Sequence, residues 1–280
     1  MKRFEMVIAT THVDSQGERL TREALDSLVN SISTSYIPIG IEHDPRIPPQ
    51  GRVDSGFVRQ TSSGEFEAIA IMEIFETADE PSTLEEKREI ILPVHRVNGL
   101  TVSYDWTHRS KEDQEDIKEI AAVLKNNPVY DVKKSADPIS IIQLTGAFVL
   151  GGIAKGFVEQ IGADGWNLIK KKLNDIFSRK KNRQGDQLFV FIALIERSSS
   201  KTEVEVILTN PSIKDMDVFL VSGLQTLDKV VCFYLDNAPD IRRLVFEIRA
   251  QELELKFAVR KDCYPLTPTV KMKDIIGKRD

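Results

Sequence analysis

The sequence has few of the residues and patterns on which many protein functions depend. Only two of its 280 residues are cysteine, Cys232 and Cys263, and only four are histidine. Two isolated cysteines provide neither a zinc-ligand pattern nor a disulfide framework, so we expect a reduced, cytoplasmic protein. The chain also has no P-loop, no dinucleotide-binding glycine motif and no convincing pair of glycosidase carboxylates. The sequence therefore predicts no metal and no cofactor.

An excess of basic residues is absent as well. Lysine and arginine number 38 against 43 aspartates and glutamates, which gives a formal net charge of −5. Nucleic-acid-binding proteins carry the opposite electrostatic signature, so we expect no nucleic-acid partner. Residues 1–9 contain an acidic interruption and too short an apolar core for a signal peptide. A content of 41% hydrophobic and 29% charged residues is typical of a globular protein.

Composition divides the chain into three predicted regions. The first, 1–137, alternates short strands with amphipathic helices, and Thr21 is a candidate N-cap for a helix over 22–33. A turn at 63–64 separates two of its strands. The expected strands of this region are 4–10, 36–42, 51–60, 65–75 and 99–106, and the other expected helices are 83–91 and 111–125.

The second region, 138–183, opens with an uncharged stretch over 139–154. This stretch has two interpretations: a bilayer-spanning helix, or a buried or partner-binding helix that contains glycine. Basic residues at 170–172 would suit an anionic membrane surface, and those at 179–183 indicate a solvated linker. We therefore expect a glycine-containing apolar helix followed by a basic linker, with possible membrane contact through 139–172.

The third region, 184–280, is predicted as a small β-rich domain with one or two short helices. Its first strand is strongly apolar, and the next alternates as a half-buried strand does. The whole chain is thus predicted as α+β with two domains. The strand candidates of this region are 188–195, 203–208, 218–221, 230–235, 244–248 and 253–259.

Two residues associated with apolar runs suggest catalytic chemistry. His43 ends one such run, and Ser103 lies inside another. A serine hydroxyl becomes a good nucleophile only when a positioned imidazole takes its proton, and such pairs are distant in sequence as a rule. Ser103 and His43 are therefore candidates for a nucleophile and its general base.

The order of several short motifs resembles a known family. These are Val-Asp-Ser-Gln-Gly-Glu at 13–18, a helix, His-Asp-Pro at 43–45, Gly-Arg-Val at 51–53, and Gly-Leu-Thr-Val-Ser-Tyr at 99–104. In this order they are similar to the motifs of tailed-phage prohead maturation proteases, distant relatives of the herpesvirus assemblins. The resemblance covers about the first half of the chain.

The resemblance implies a serine endopeptidase on a mostly antiparallel, barrel-like sheet with flanking helices. Ser103 would be the nucleophile, His43 the base, and Asp131 the acid that orients the imidazole. The assemblin relatives use a second histidine instead, for which His95 and His108 are available, and Asp105 is a further acid close to the serine. Implied substrates are a capsid or scaffold protein or the chain itself, and we expect a homo-oligomer.

A second class of function stays open. The residues after Ser103 depart from the family pattern, and the region 184–280 is not part of a minimal protease. The alternative is a non-catalytic, protease-like module for interaction or sensing, which contacts a partner or a membrane through residues 139–172.

Overall fold

A computed structural model describes residues 2–13, 19–40, 44–75, 88–92, 99–130, 139–181, 185–197, 200–250 and 252–267. The chain forms two compact units. The smaller unit comprises Met1–Ile41, Ile47–Val94 and Val259–Leu266, and the larger unit comprises Glu42–Arg46, His95–Ala258 and Thr267–Asp280. Both units combine helices with β-strands, so the predicted α+β class is confirmed.

The smaller unit is built on a four-stranded antiparallel sheet with the order β1-β4-β3-β2. The predicted turn joins β3 to β4, and its Gly64 has a φ of 86°, which suits glycine. Within the described residues β1 and β2 are the two edges of this sheet, so it is open there and not closed into the predicted barrel. Its elements in chain order are β1 (Lys2–Thr10), α1 (Arg22–Thr34), β2 (Ile37–Ile39), β3 (Gly51–Gln60) and β4 (Phe66–Ile74).

Helix α1 covers one face of this sheet. It begins as predicted, because the Thr21 hydroxyl accepts a hydrogen bond from the backbone N–H of Ala24 (3.2 Å). Apolar residues at helical spacing then face small and branched side chains of β3 and β4. The buried residues in contact are Leu25, Val29, Ile32, Val53, Ala68 and Ala70. Most of the predicted helix over 83–91 lies outside the described residues, and its described part, 88–91, is not helical: Ile90 forms a β-bridge with Tyr36.

The larger unit has a mixed sheet in which the strands follow the order β11-β10-β9-β8-β7-β5-β6. A π-helical stretch, Phe219–Gly223, joins α4 to α5. The elements are β5 (Thr101–Tyr104), α2 (Lys111–Val123), β6 (Val129–Tyr130), β7 (Ser140–Phe148), α3 (Ile153–Lys180), β8 (Gln187–Arg197), β9 (Ser200–Thr209), α4 (Ile213–Val218), α5 (Leu224–Asn237), β10 (Ile241–Arg249) and β11 (Glu252–Arg260). The last two residues of β11 and a final short strand, β12 (Pro265–Leu266), belong to the smaller unit.

Helical crossovers connect the parallel strand pairs of this sheet. Strand β7 runs parallel to β8 and is joined to it by α3, and β9 runs parallel to β10 and is joined to it by α4 and α5. Parallel neighbours require such long connections, whereas the antiparallel pair β8–β9 needs only a short turn. Aromatic side chains pack between the crossovers and one face of the sheet: the ring of Phe191 lies 5.3 Å from Phe157 and 5.2 Å from Phe219.

The prediction of a helix over 139–154 is wrong. Residues Ser140–Phe148 form β7, which lies between β5 and β8 in the sheet. When a strand is paired on both sides and covered on both faces, its sequence is a continuous apolar run. Periodicity alone cannot distinguish such a run from a buried helix. The following helix, α3, begins only at Ile153. Among the described residues, no helix is long and apolar enough to cross a membrane.

The predicted linker and two predicted strands are also wrong. Arg179 and Lys180 belong to the last turn of α3, and Lys180 is buried. Residues 218–221 and 230–235 are helical, because the apolar side chains of α5 recur every three or four positions and bury one helix face. The predicted boundaries near 137 and 183 both fall inside the larger unit.

Candidate functional site

Ser103 is held inside the larger unit by a neighbouring strand. It lies on β5 with 7% of its surface exposed. Its Oγ donates a hydrogen bond to Oε1 of Gln143 (3.1 Å), the residue directly opposite on β7. A serine nucleophile must instead present its hydroxyl to a base and to the substrate. The observed geometry is that of a cross-strand polar pair.

The other two members of the predicted triad, His43 and Asp131, lie outside the described residues, as does His95. Their catalytic roles stay predictions. Two further candidates, Asp105 and His108, are described and can be placed.

Asp105 caps the turn that follows β5. Its Oδ1 accepts hydrogen bonds from the backbone N–H (2.9 Å) and hydroxyl (2.6 Å) of Thr107, and its Oδ2 accepts one from the backbone N–H of Ile141 (2.8 Å). Each carboxylate oxygen therefore has a structural donor. This pattern is typical of a capping aspartate and does not orient an imidazole.

The residue after His43 in sequence, Asp44, belongs to an ionic network in the larger unit. Its carboxylate accepts hydrogen bonds from the backbone N–H and the guanidinium of Arg46 (both 2.9 Å), and Arg46 also binds Asp186 (2.6 Å). Burial alone would raise the pKa of Asp44, but the contacts with Arg46 outweigh it and lower the pKa. The Asp44 charge thus anchors a turn to the segment before β8.

The Gly-Arg-Val motif serves packing in the smaller unit. A Cβ atom at Gly51 would lie 2.2 Å from the carbonyl oxygen of Glu73, so only glycine fits there. Arg52 Nε donates to Glu73 Oε2 (2.8 Å), and Val53 is a core residue. All three residues of the motif therefore have structural reasons for their identity.

His108 belongs to a cluster of charged side chains between α2 and α3, which we call the helix-pair cluster. Its Nδ1 lies 2.5 Å from Nζ of Lys180 and 3.6 Å from Oδ2 of Asp113. Arg179 donates to Asp113 (2.8 Å) and to Asp116 (2.6 Å). The members of the helix-pair cluster are His108, Asp113, Asp116, Lys172, Arg179 and Lys180.

Electrostatics assign the protonation states of this cluster. Burial lowers the pKa of His108, and although Asp113 acts against it, the Lys180 ammonium adds to the lowering. Burial would raise the pKa of Asp113, but His108, Arg179 and Lys180 outweigh it and hold that pKa well below its usual range. We therefore assign a neutral imidazole whose Nδ1 accepts a hydrogen bond from the Lys180 ammonium, with the ring proton on Nε2. That Nε2 is buried and has no hydrogen-bond partner among the residues that the structure describes.

A second buried group of charges lies on the sheet, and we call it the sheet cluster: Glu203, Glu205 and Arg243. The two glutamates occupy alternate positions of β9, so their side chains share a face, and Arg243 is directly opposite Glu203 on β10. Arg243 Nε lies 2.6 Å from Oε1 of Glu205 and 3.0 Å from Oε1 of Glu203. Both carboxyl groups are almost fully buried.

The sheet cluster has two acids for one guanidinium. Burial raises the pKa of Glu203 well above its ordinary value; Arg243 opposes this, and the neighbouring Glu205 charge reinforces it. A buried carboxyl whose pKa is raised can serve as a general acid. However, β7 and β8 separate β9 from β5, which places these acids about 14 Å or more from Ser103. The sheet cluster therefore supplies no third member for a Ser103 triad.

Sequence reasoning missed both clusters. Glu203 and Glu205 alternate with valines, which is also the pattern of a strand with one face in water. Each cluster also contains a cation that is distant in sequence from its acids, Arg243 in the sheet cluster and Lys180 in the helix-pair cluster. A single sequence does not show which acid each cation binds.

A cleft lined by both polar and apolar groups lies at the end of α3. It has a volume of about 470 Å³, within the range of small-molecule sites. In the part of the chain that the structure describes, no group of three or more His, Cys, Asp or Glu side chains is arranged to hold a metal ion. The cleft is lined by residues that include Asn174, Ser178, Lys181, Gln187, Asn210 and Ser212.

Comparison with known proteins adds no relative: a scan of protein-family models, a search of curated proteins and a search of solved structures each found no match. The similarity to prohead proteases accordingly rests on the sequence motifs alone and stays a prediction.

Proposed function

We propose that this protein is a non-catalytic interaction module that has a protease-like order of motifs but does not use Ser103 as a nucleophile. The observation that carries this proposal is the hydrogen bond from Ser103 Oγ to Gln143 Oε1 on a buried strand. To react, Ser103 would have to exchange this partner for an imidazole and become accessible to a substrate carbonyl, and its burial on β5 opposes this.

The described motif residues support the same proposal. Asp44 accepts hydrogen bonds from Arg46, and Arg52 donates one to Glu73. Asp105 accepts hydrogen bonds from backbone and side-chain donors. Each interaction stabilises a turn or a strand, so the pattern that resembles a protease is explained, where it is described, by structure alone. Binding then becomes the function to examine.

The competing proposal is the serine endopeptidase, with Ser103, His43 and Asp131 acting on a capsid or scaffold protein or on the chain itself. The two proposals differ in one measurable property, which is whether peptide-bond cleavage depends on the Ser103 hydroxyl.

In the test, the full chain is incubated alone and with an unfolded protein substrate. Intact mass measurements then follow the cleavage of the chain itself and of the substrate. Wild type, Ser103→Ala and His43→Ala are compared. We expect three indistinguishable mass profiles. Fragments that form with wild type and are absent with both variants would contradict the proposal and establish the endopeptidase.

A further inference from the structure

Strand β1 is a long and exposed edge. It spans nine residues, Lys2–Thr10, and within the described residues it pairs with β4 on one side only. Residues Lys2–Val7 are all exposed, including the apolar Phe4 (40%) and Met6 (49%). The opposite edge, β2, has only three residues. Proteins normally shorten or cover such edges, because the unpaired backbone groups of a long edge bind another strand.

The two apolar side chains lie on one face of the sheet. Phe4 is directly opposite Met72 and Met6 is opposite Ala70, both of which pack with Ile32 of α1. Phe4 and Met6 therefore share the α1 face, yet they remain exposed. A strand added beside β1 would cover both side chains and, at the same time, pair the backbone groups of β1 that have no partner among the described residues.

We propose that β1 pairs with β1 of a second copy of this chain, antiparallel, with Phe4 opposite Phe4 of the second copy. The guanidinium of Arg3 binds Glu73 of β4 but remains largely exposed. In the proposed register Arg3 is opposite Glu5 of the second copy, which it can contact as a second carboxylate, and the two-fold symmetry repeats this favourable pair. Lys2 is opposite Met6 of the second copy. On the sheet face that carries α1, the Phe4 and Met6 side chains of both copies would therefore lie close together.

The charges of β1 distinguish this register from its neighbour. Moving the symmetry centre from Phe4 to Glu5 would place two carboxylates opposite each other, which is unfavourable. The register between β1 and β4 is irregular between Val7 and Ala9, and such bulges end regular pairing. The favourable register uses the regular residues before this irregularity.

The inference rests on the proposed function, because it names the partner of the interaction module as a second copy of the chain. It joins two four-stranded sheets through a symmetric contact that uses the same strand of both copies. A contact of this size is expected to be reversible and dependent on concentration.

The first test is disulfide trapping in a Cys232→Ser background, since Cys263 is buried and Cys232 is partly exposed. In the proposed register the two Phe4 Cα atoms are about 5 Å apart, within disulfide range. Phe4→Cys should therefore give a covalent dimer under mild oxidation. The matched control is Val7→Cys, an exposed position on the same strand whose copies would be about 20 Å apart and should stay unlinked.

The second test measures the mass of the untagged chain in solution over a range of concentrations. Wild type should be in equilibrium between monomer and dimer at concentrations up to about 100 µM. Glu5→Arg places like charges at both Arg3 contacts and should weaken the dimer about tenfold. Glu252→Arg, an exposed position on β11, serves as the control for the change in net charge.

A monomeric wild type, or trapping through Val7→Cys in place of Phe4→Cys, would overturn the β1 pairing. Neither result touches the proposed non-catalytic function, which Ser103-dependent cleavage would overturn on its own. Circular dichroism of each variant confirms that the fold is kept.

Discussion

The helix-pair cluster and the sheet cluster both contain buried carboxyl groups, but the two clusters differ in how many cations each carboxyl group contacts. In the helix-pair cluster, Asp113 has Arg179 and Lys180 as close partners, so its pKa is held low and the acid is ionised. In the sheet cluster, Glu203 shares Arg243 with Glu205, and burial raises its pKa instead. The local balance of charge, and not burial by itself, determines in which direction the pKa of each acid moves.

This difference has consequences for stability. A fully paired charge stabilises the fold while it is ionised, but removing one partner leaves the other buried and unpaired. A protonated acid is close to a neutral amide and can be replaced by one with little loss. The two clusters should therefore respond in opposite ways to neutralisation.

The largest effect is expected for Asp113→Ala, which leaves Arg179 and Lys180 without their shared carboxylate. We expect the free energy of unfolding to fall by about 3–5 kcal/mol in urea titrations. Because the folded-state pKa is lowered, the contribution of Asp113 is present above about pH 4 and is lost as the pH falls. Glu115→Ala, on the exposed side of α2, is the control; an equal loss in both variants would refute the role of the cluster.

The next effect is expected for Lys180→Met, which removes the ammonium and keeps the apolar stem. Lys180 also donates to the backbone carbonyl of Thr107 (2.7 Å), so we expect a loss of about 1–3 kcal/mol. The pKa of His108 should rise, because Lys180 lowers it, and NMR titration of the imidazole measures this. Lys181→Met, one residue further and exposed, should leave the His108 titration unchanged.

A smaller and pH-dependent effect is expected for Glu203→Gln. Because the folded-state pKa of Glu203 is raised, the wild type loses stability as the pH rises from about 4.3 towards that pKa, by up to about 1.4 kcal/mol per pH unit. The glutamine variant should lack this loss. Unfolding at several pH values checks it, and parallel curves for both proteins would show that Glu203 is ionised in the fold.

The smallest effect is expected for the neutral pair on β5 and β7. Ser103→Ala removes one hydrogen bond and should cost about 1 kcal/mol of unfolding free energy. Gln143→Leu should cost a similar amount, and the double variant should cost less than the sum of the two. Strict additivity would show that the two side chains do not interact.

Local patterns were sufficient to predict many elements of the fold. Thr21 capped its helix as expected, and the strand over 51–60 has the predicted bounds, because both signals depend on adjacent residues. The stretch that became β7 was misread, since a continuous apolar run fits a buried strand and a buried helix equally well. Its identity depends on β5 and β8, which flank it only in the folded chain.

The candidate site was less predictable for the same reason. Ser103 stands in an apolar run whether it serves as a nucleophile or as a strand residue, and its partner Gln143 is distant in sequence. Arg179 and Lys180 looked like part of a solvated linker, because nothing in their neighbourhood marks Asp113 as a partner. Long-range pairing of polar groups requires the fold itself.

The most direct test of the central claim is the reaction of Ser103 with a fluorophosphonate probe, read by intact mass and peptide mapping. Wild type and Ser103→Ala are treated side by side, each in folded form. If Ser103 is a sheet residue bonded to Gln143, neither protein gains an adduct. An adduct mapped to Ser103 in the wild type, and absent from the alanine variant, would contradict the account and establish a working serine nucleophile.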